Sequence, residues 1–349
     1  MKLLPFVSGA LAALTLFTPF SSYIRREKQA EPEKNENETE IAEAFGEYLP
    51  GIVCWGDSLT VGAGGDGVTY PDTLAGLIHE DLGREVDVVN MGVGGETSPT
   101  IVARSGTVPF RVQGFTIPAD TTPVPIKIYS DLHKRVLPLI QGDGGVNPVS
   151  IGGVAGRITV KLSTVTEWSE YYFTRAEAGE EVPVEKGTEI VTYSADKWRD
   201  YINVVFIGTN GDFKNVDELI EQQKYILSRS EKNGERYIVV GLYTLNSYQV
   251  KKQCDAAYFE ELEEAMKSEY GERFIDARGY FTSEGLADAG IEPTETDLAA
   301  IAEGKVPPSL MADDLLHLNA KGYELLGRLI YERMDALGYF GEVRGALEK

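Results

Sequence analysis

Gly51-Ile-Val-Cys-Trp-Gly-Asp-Ser-Leu-Thr60 is the stretch from which the architecture is read. The apolar run from Gly51 to Trp55 is too short for a helix and rich in β-formers, so it reads as a buried strand. Gly56-Asp-Ser58 at its end is turn chemistry. The same unit, an apolar run followed by a helical pattern, recurs along the chain. Helical spacing over Leu74–Leu82 precedes a second strand, Val86-Asp-Val-Val-Asn90. Tyr201-Ile-Asn-Val-Val-Phe-Ile207 is the third and strongest strand, followed by a helix over Val216–Leu227. Tyr237–Tyr243 is the fourth, Tyr258–Met266 is helical, and Arg273-Phe-Ile-Asp276 is the fifth. Asn319–Leu337 is an amphipathic terminal helix with Leu325, Leu326, Leu329, Ile330 and Met334 on one face. Strands alternating with helices predict a parallel sheet covered on both sides. The fold class is α/β: a flavodoxin-like three-layer α/β/α arrangement with a mostly parallel five-stranded sheet.

From about Ser105 to Trp198 the rhythm breaks. Thr107-Val-Pro-Phe-Arg-Val, Val124-Pro-Ile-Lys-Ile-Tyr and Arg157-Ile-Thr-Val-Lys-Leu are β-branched pieces separated by Gly, Pro and Asn. They predict an all-β insertion between the second and third core strands. The expected organisation is a core over residues 49–104 and 199–349, with a β-rich inserted domain over 105–198. Trp168, Tyr171, Tyr172 and Phe173 lie near one another there; core packing of a small β domain explains them more simply than sugar stacking.

The N-terminus is not part of the fold. Lys2 precedes an uncharged run from Leu3 to Ile24, followed by Arg25, Arg26 and Lys28. Twenty-two residues suffice to cross a bilayer as a helix. Residues 1–28 are read as an export segment, cleaved as a signal peptide or kept as a membrane tether through residues 3–24, which places the protein outside the cytoplasm. Residues 29–48 follow as an acidic tether, with seven glutamates between Glu31 and Glu47 against Lys34 alone. Over all 349 residues, 33 Lys and Arg face 55 Asp and Glu, a net charge of −22. A field of that sign repels phosphate backbones and argues against a nucleic-acid partner. Two cysteines, Cys54 and Cys254, exclude a disulfide scaffold and a Cys-rich metal site, and they are read as unpaired.

The chemistry is sought at the carboxyl ends of the strands, where open parallel sheets bind ligands. Ser58 directly follows the first strand; it is a candidate nucleophile if a base takes its proton, and a helix-capping serine otherwise. Among three histidines, His79 ends a helical run and His133 lies in the insertion, and neither has an evident partner. His317 sits in Asp313-Asp-Leu-Leu-His-Leu-Asn319, where Asp314 can fold back onto one ring nitrogen and leave the other free as a base; a salt bridge or cap is the competing role. The second strand ends in Asn90-Met-Gly-Val-Gly-Gly-Glu-Thr97, whose glycines let backbone N–H groups approach a ligand. The third ends in Gly208-Thr-Asn-Gly-Asp212, which offers a side-chain amide. Nucleophile, base, backbone donor and amide donor are what acyl transfer needs. Gly62-Ala-Gly-Gly-Asp-Gly67 satisfies G-x-G-x-x-G but is separated from the strand by Gly56-Asp-Ser-Leu59, so it reads as a flexible loop, not a dinucleotide site. No cofactor and no metal are called for.

Ser58 in Gly-Asp-Ser-Leu, the Asn90–Thr97 block, Asn210 in Gly-Thr-Asn, and Asp314 with His317 resemble the four ordered blocks of the SGNH (GDSL-type) hydrolases. The resemblance covers roughly Gly51–Ser105 and Tyr201–Leu337, not the insertion. It implies that Ser58 is the nucleophile, that His317 and Asp314 complete the triad, and that Ser58, Gly95 and Asn210 form the oxyanion hole. In that family an Asp usually follows the Asn directly; here Gly211 stands between Asn210 and Asp212, which bears on how Asn210 is held.

The expected function is therefore a secreted or surface-anchored serine esterase that removes short acyl groups, acetyl first among them, from a small-molecule or glycan ester. Family members with an export segment often deacylate carbohydrates. A lysophospholipase or thioesterase with the same triad is the alternative that a membrane tether motivates. A non-catalytic glycan-binding surface protein is the one that the insertion motivates. Oligomeric state is left open by the sequence.

Overall fold

The computed structural model describes residues 49–132, 145–162, 169–230, 236–246, 256–341 and 344. The leader and tether read over residues 1–28 and 29–48, and His133, Trp168 and Cys254, lie outside the described residues.

Strand β1 (Ile52–Gly56) is buried along its whole length. Successive side chains of a strand point to opposite faces, so both faces of the sheet are covered here. Helix α1 (Ser58–Val61) is a single turn, and α2 (Tyr70–Leu82) follows it. Strand β2 (Val88–Gly92) lies two residues beyond the expected span, because Asp87 O accepts from Ile52 N (2.8 Å) at the edge of the ladder and Val86 precedes it. Helix α3 (Ser98–Ser105) has all eight residues buried, its polar Ser98, Thr100, Arg104 and Ser105 included.

Nine strands come next among the described residues. They are β3 (Phe110–Val112), β4 (Phe115–Ile117), β5 (Val124–Ile126), β6 (Ile128–Ser130), β7 (Val149–Ile151), β8 (Val154–Leu162), β9 (Ser169–Arg175), β10 (Val182–Val184) and β11 (Ile190–Val191). β11-β7-β8-β9-β5 form one antiparallel sheet, and β10-β4 and β3-β6 pair separately. Their own core includes Phe110, Val112, Ile117, Ile158, Phe173 and Ile190, and it also takes in Ala103 of α3. Tyr171 and Phe173 are buried in or beside this core, while Tyr172 points outward and donates to Glu170 Oε2 (3.0 Å). Alternation along β9 thus assigns two of the aromatics to packing.

The chain then returns to the parallel sheet with β12 (Ile202–Phe206), helix α4 (Val216–Leu227), β13 (Tyr237–Val240), α5 (Ala256–Tyr270) and β14 (Phe274–Ile275). Three short helices follow, α6 (Ala277–Ser283), α7 (Gly285–Asp288) and α8 (Glu295–Ala302), before the long α9 (Ala320–Ala336). The sheet order is β14-β13-β12-β1-β2, all parallel, with Ile52 opposite Ile202 on one side and Val88 on the other. The order reverses at β1, which lies between β2 and β12. A crevice at such a switch point is where ligands bind in this architecture. Helix α9 packs on α2, and α4 packs on α3 and α5, so the sheet is sandwiched as the strand–helix alternation predicts.

Candidate active site

Asp57, not Ser58, caps α1: its Oδ1 accepts from Leu59 N (3.0 Å). That leaves the Ser58 hydroxyl free of a capping duty at the first helical position, half-buried at the carboxyl end of β1. Asp57 is fully buried and its Oδ2 has no partner, so burial pushes its carboxyl up to about 7, against the Leu59 hydrogen bond.

His317 reaches the same place from the other end of the chain. Residues 311–318 form a tight loop, closed by pairing of Met311 with Leu318 and by Ala312 N donating to His317 O (2.8 Å). Asn319 caps α9 and also donates through Nδ2 to Ser309 O (2.9 Å) and Met311 O (3.2 Å). Within the loop Asp314 Oδ1 accepts from Leu316 N and His317 N, both at 3.0 Å. Its Oδ2 lies 2.5 Å from His317 Nδ1, and His317 Nε2 lies 2.8 Å from Ser58 Oγ. Partial burial raises the Asp314 carboxyl, but the two backbone donors and the imidazole outweigh it and hold the group below its ordinary value. The imidazole is 16% exposed and the Asp314 side chain 51%, so the group sits at the surface.

The Gly62–Gly67 segment presses on this loop. At Gly64 (φ +82°) a Cβ would stand 3.0 Å from His317 Cβ and 2.8 Å from Ala312 Cβ, so only glycine lets the two loops meet. Tyr323 of α9 donates to Ala63 O (2.8 Å) and fixes the contact. The segment thus touches the His317 loop through Gly64 and α9 through Ala63, while Asp66 and Gly67 are exposed.

The second donor block follows β2. Gly95 adopts φ +79° in the loop after β2, followed by Glu96, whose carbonyl accepts from Asn210 Nδ2 (2.9 Å). Asn210 Oδ1 accepts from Asn246 Nδ2 (2.9 Å), and Asn246 N donates to Thr209 O (2.8 Å). The Asn210 amide is therefore fixed at both ends. One of its two N–H bonds goes to Glu96, which leaves the other for a ligand. The intervening Gly211 takes φ +76° and its carbonyl faces Ser98 N (3.4 Å) and Ser98 Oγ (3.3 Å). Glu96 and Asn246, not a following Asp, orient Asn210. No motif in the sequence marks Asn246. It stands 36 residues beyond Asn210, in the segment after β13.

His79 is exposed, 3.3 Å from Glu85. Cys54 is a buried free thiol in β1, pushed well up by burial. Among the described residues no group of three His, Cys, Asp or Glu side chains is arranged to hold a metal ion.

A hydroxyl bonded to an imidazole that is bonded in turn to a carboxylate can pass its proton to the ring and attack an acyl carbon. Comparison with known proteins agrees with that chemistry. The family model described as GDSL-like lipase/acylhydrolase matches residues 52–330. A search of curated proteins finds no match. A solved structure, the lipase/acylhydrolase from Enterococcus faecalis, is similar at a TM-score of 0.39 and 15% identity, covering 83% of this chain and 97% of that one. With its match running from β1 into α9, the chain belongs to the GDSL-like lipase/acylhydrolase family, and it is an ester-bond hydrolase.

Proposed function

We propose that this hydrolase works through an acyl-enzyme on Ser58 and removes short acyl groups, acetyl above all, from carbohydrate outside the cytoplasm. His317 Nε2 takes the Ser58 proton as Oγ attacks the acyl carbon. The negative charge on the carbonyl oxygen is met by Ser58 N–H, Gly95 N–H and the second N–H of Asn210 Nδ2. The tetrahedral adduct collapses, the leaving alcohol takes the proton from His317, and water enters by the same steps in reverse to release the acid and Ser58. Asp314 holds the imidazole in the tautomer that presents a bare Nε2 to the hydroxyl and stabilises the imidazolium.

The observation that carries this reading is the 2.8 Å contact between His317 Nε2 and Ser58 Oγ, two groups 259 residues apart, backed by the 2.5 Å contact to Asp314. A site at the surface, with Asp314 half exposed, is one that a bulky acceptor can reach with only its ester entering. The export-type leader adds the location.

One observation favours the longer-chain alternative. Leu315, between Asp314 and His317, is 60% exposed, and Val61, at the end of the nucleophile's helix, is 41% exposed. Exposed apolar side chains close in sequence to the triad are ones on which an acyl tail could rest. Turnover of p-nitrophenyl esters from acetyl to palmitoyl, together with acetate release from acetylated oligosaccharides, separates the two. The short-acyl reading expects the highest kcat/KM on acetyl and measurable acetate release. A maximum at long acyl chains with no acetate release overturns it in favour of a lysophospholipase or thioesterase.

A further inference from the structure

Behind the oxyanion donors lies a buried ion pair that the mechanism does not use. Arg104 and Glu96 are both fully buried, with Nε 2.8 Å from Oε2. Burial pushes the Glu96 carboxyl up, and Arg104 pulls it back. A pair of this kind adds little net stability over apolar groups of the same size. What distinguishes it is its connections. Arg104 Nη2 donates to Met91 O (2.8 Å) in β2 and lies 3.5 Å from Gly56 O, one residue before the Asp57–Ser58 turn. Glu96 follows Gly95 directly, and its carbonyl receives Asn210. One guanidinium thus joins the ends of β1 and β2 to the loop that carries one donor and anchors the other.

The insertion, in turn, grips Arg104. The Arg104 carbonyl accepts from Thr192 Oγ1 and Ser194 Oγ, both at 2.7 Å. Arg229, just beyond α4, donates to Ser194 O (2.8 Å) and Lys197 O (2.7 Å) in the same segment. Helix α3 lies between two cores: Ile101 and Val102 belong to that of the parallel sheet, and Ala103 to that of the insertion.

We infer that Arg104 is a positioning residue that holds Gly95 and Asn210 in register with Ser58, and that the β-rich insertion serves the reaction by clamping Arg104 through Thr192 and Ser194. This rests on the oxyanion roles proposed above for Gly95 and Asn210. Misplacing pre-aligned groups by about 1 Å can cost on the order of 10²-fold in rate.

The test compares three variants with wild type: Asn210→Ala, the charge-free pair Glu96→Gln with Arg104→Met, and Thr192→Val with Ser194→Ala. For each, kcat, KM, the pH profile of kcat/KM, the affinity for a boronic acid that forms a tetrahedral adduct, and Tm are measured. Removing both charges avoids an unpaired buried ion. The expected results are a kcat about 10²-fold lower for the charge-free pair and about tenfold lower for the insertion variant. KM and the pH profile stay within error. Boronic acid affinity falls in step with kcat. If Asn210→Ala loses its expected 10²–10³-fold while the charge-free pair keeps kcat within threefold, the inference is wrong and the oxyanion reading stands. If Asn210→Ala itself keeps its kcat, the oxyanion reading fails and takes the inference with it. Should the charge-free pair fail to fold, the insertion variant decides alone, and an unchanged kcat in a folded protein overturns the inference.

Discussion

Replacing Asn246 by Asp keeps the shape of the side chain and removes a donor. Asn246 Nδ2 gives its hydrogen to Asn210 Oδ1 at 2.9 Å, while Asn210 Nδ2 gives one of its own to Glu96 O at 2.9 Å. An Asp carboxylate at 246 has no hydrogen to give. It sets two oxygens against each other and favours the Asn210 amide turned through 180°, with its NH₂ facing Asp and its carbonyl facing Glu96 O. The N–H proposed to meet the oxyanion is then gone. Losing one such donor costs about 2.7–4 kcal/mol of transition-state stabilisation, or 10²–10³-fold in kcat. Asn246→Ala is milder: Glu96 still selects the correct orientation of the amide, so about a tenfold loss follows, with about 1–3 kcal/mol of stability lost for the buried Oδ1 left without a partner. The assay is steady-state hydrolysis of p-nitrophenyl acetate at neutral pH, with Tm recorded for each variant. KM should move little, because the interaction strengthens only as charge develops. The conservative variant is expected to be the worse one. Asn246→Asp turning over as well as or better than Asn246→Ala would refute the reasoning.

Two further outcomes follow from buried carboxyls. Asp57 has its folded value raised from 3.8 to about 7 by burial, so the stability of its neutral form is fully present below about pH 4 and is lost as pH rises through 7. Asp57→Asn removes that loss, and chemical denaturation should show the variant more stable than wild type by about 2–4 kcal/mol at pH 8 but not at pH 4; an equal gap at both values contradicts it. Asp297 behaves in the opposite sense: burial raises it, but hydrogen bonds from Thr294 and Ser309 win and hold it at about 2, below the ordinary 3.8. Its contribution is present above about pH 4 and lost as pH falls toward 2. Asp297→Ala, which removes the Thr294–Asp297 capping box of α8 and the tie to Ser309, should cost about 2–3 kcal/mol at pH 7 and much less near pH 2 by the same measurement.

The parts of the fold visible in the sequence are those in which one local period dominates. Five apolar runs mark the five parallel strands because each is short and bounded by polar or turn residues, and Val216–Leu227 matches its helix because one face alone is apolar. Helix α3 is only eight residues long, too short for its period to stand out, and the reading runs past it into the insertion. Helices α6 and α8 have no counterpart in the sequence reading; they are short, and their caps, Asp276 and Thr294, become evident only in the structure. At the site, Ser58, Asp314 and His317 stand in short fixed spacings that survive inspection of one strand end and one turn. Asn246 and the Glu96–Arg104 pair do not, because a contact at a separation of 36 residues, or of eight across a loop and a helix, has no period to betray it. Tertiary packing creates those partnerships.

The central claim is that Ser58 carries the acyl group after His317 has taken its proton. It is tested most directly by treating the enzyme with a fluorophosphonate ester, which phosphonylates an activated serine, and mapping the adduct by mass spectrometry. The account predicts one adduct, on Ser58, formed with loss of esterase activity, absent in Ser58→Ala and slowed in His317→Ala. Full turnover by Ser58→Ala, or loss of activity with the label on another residue and none on Ser58, would contradict it.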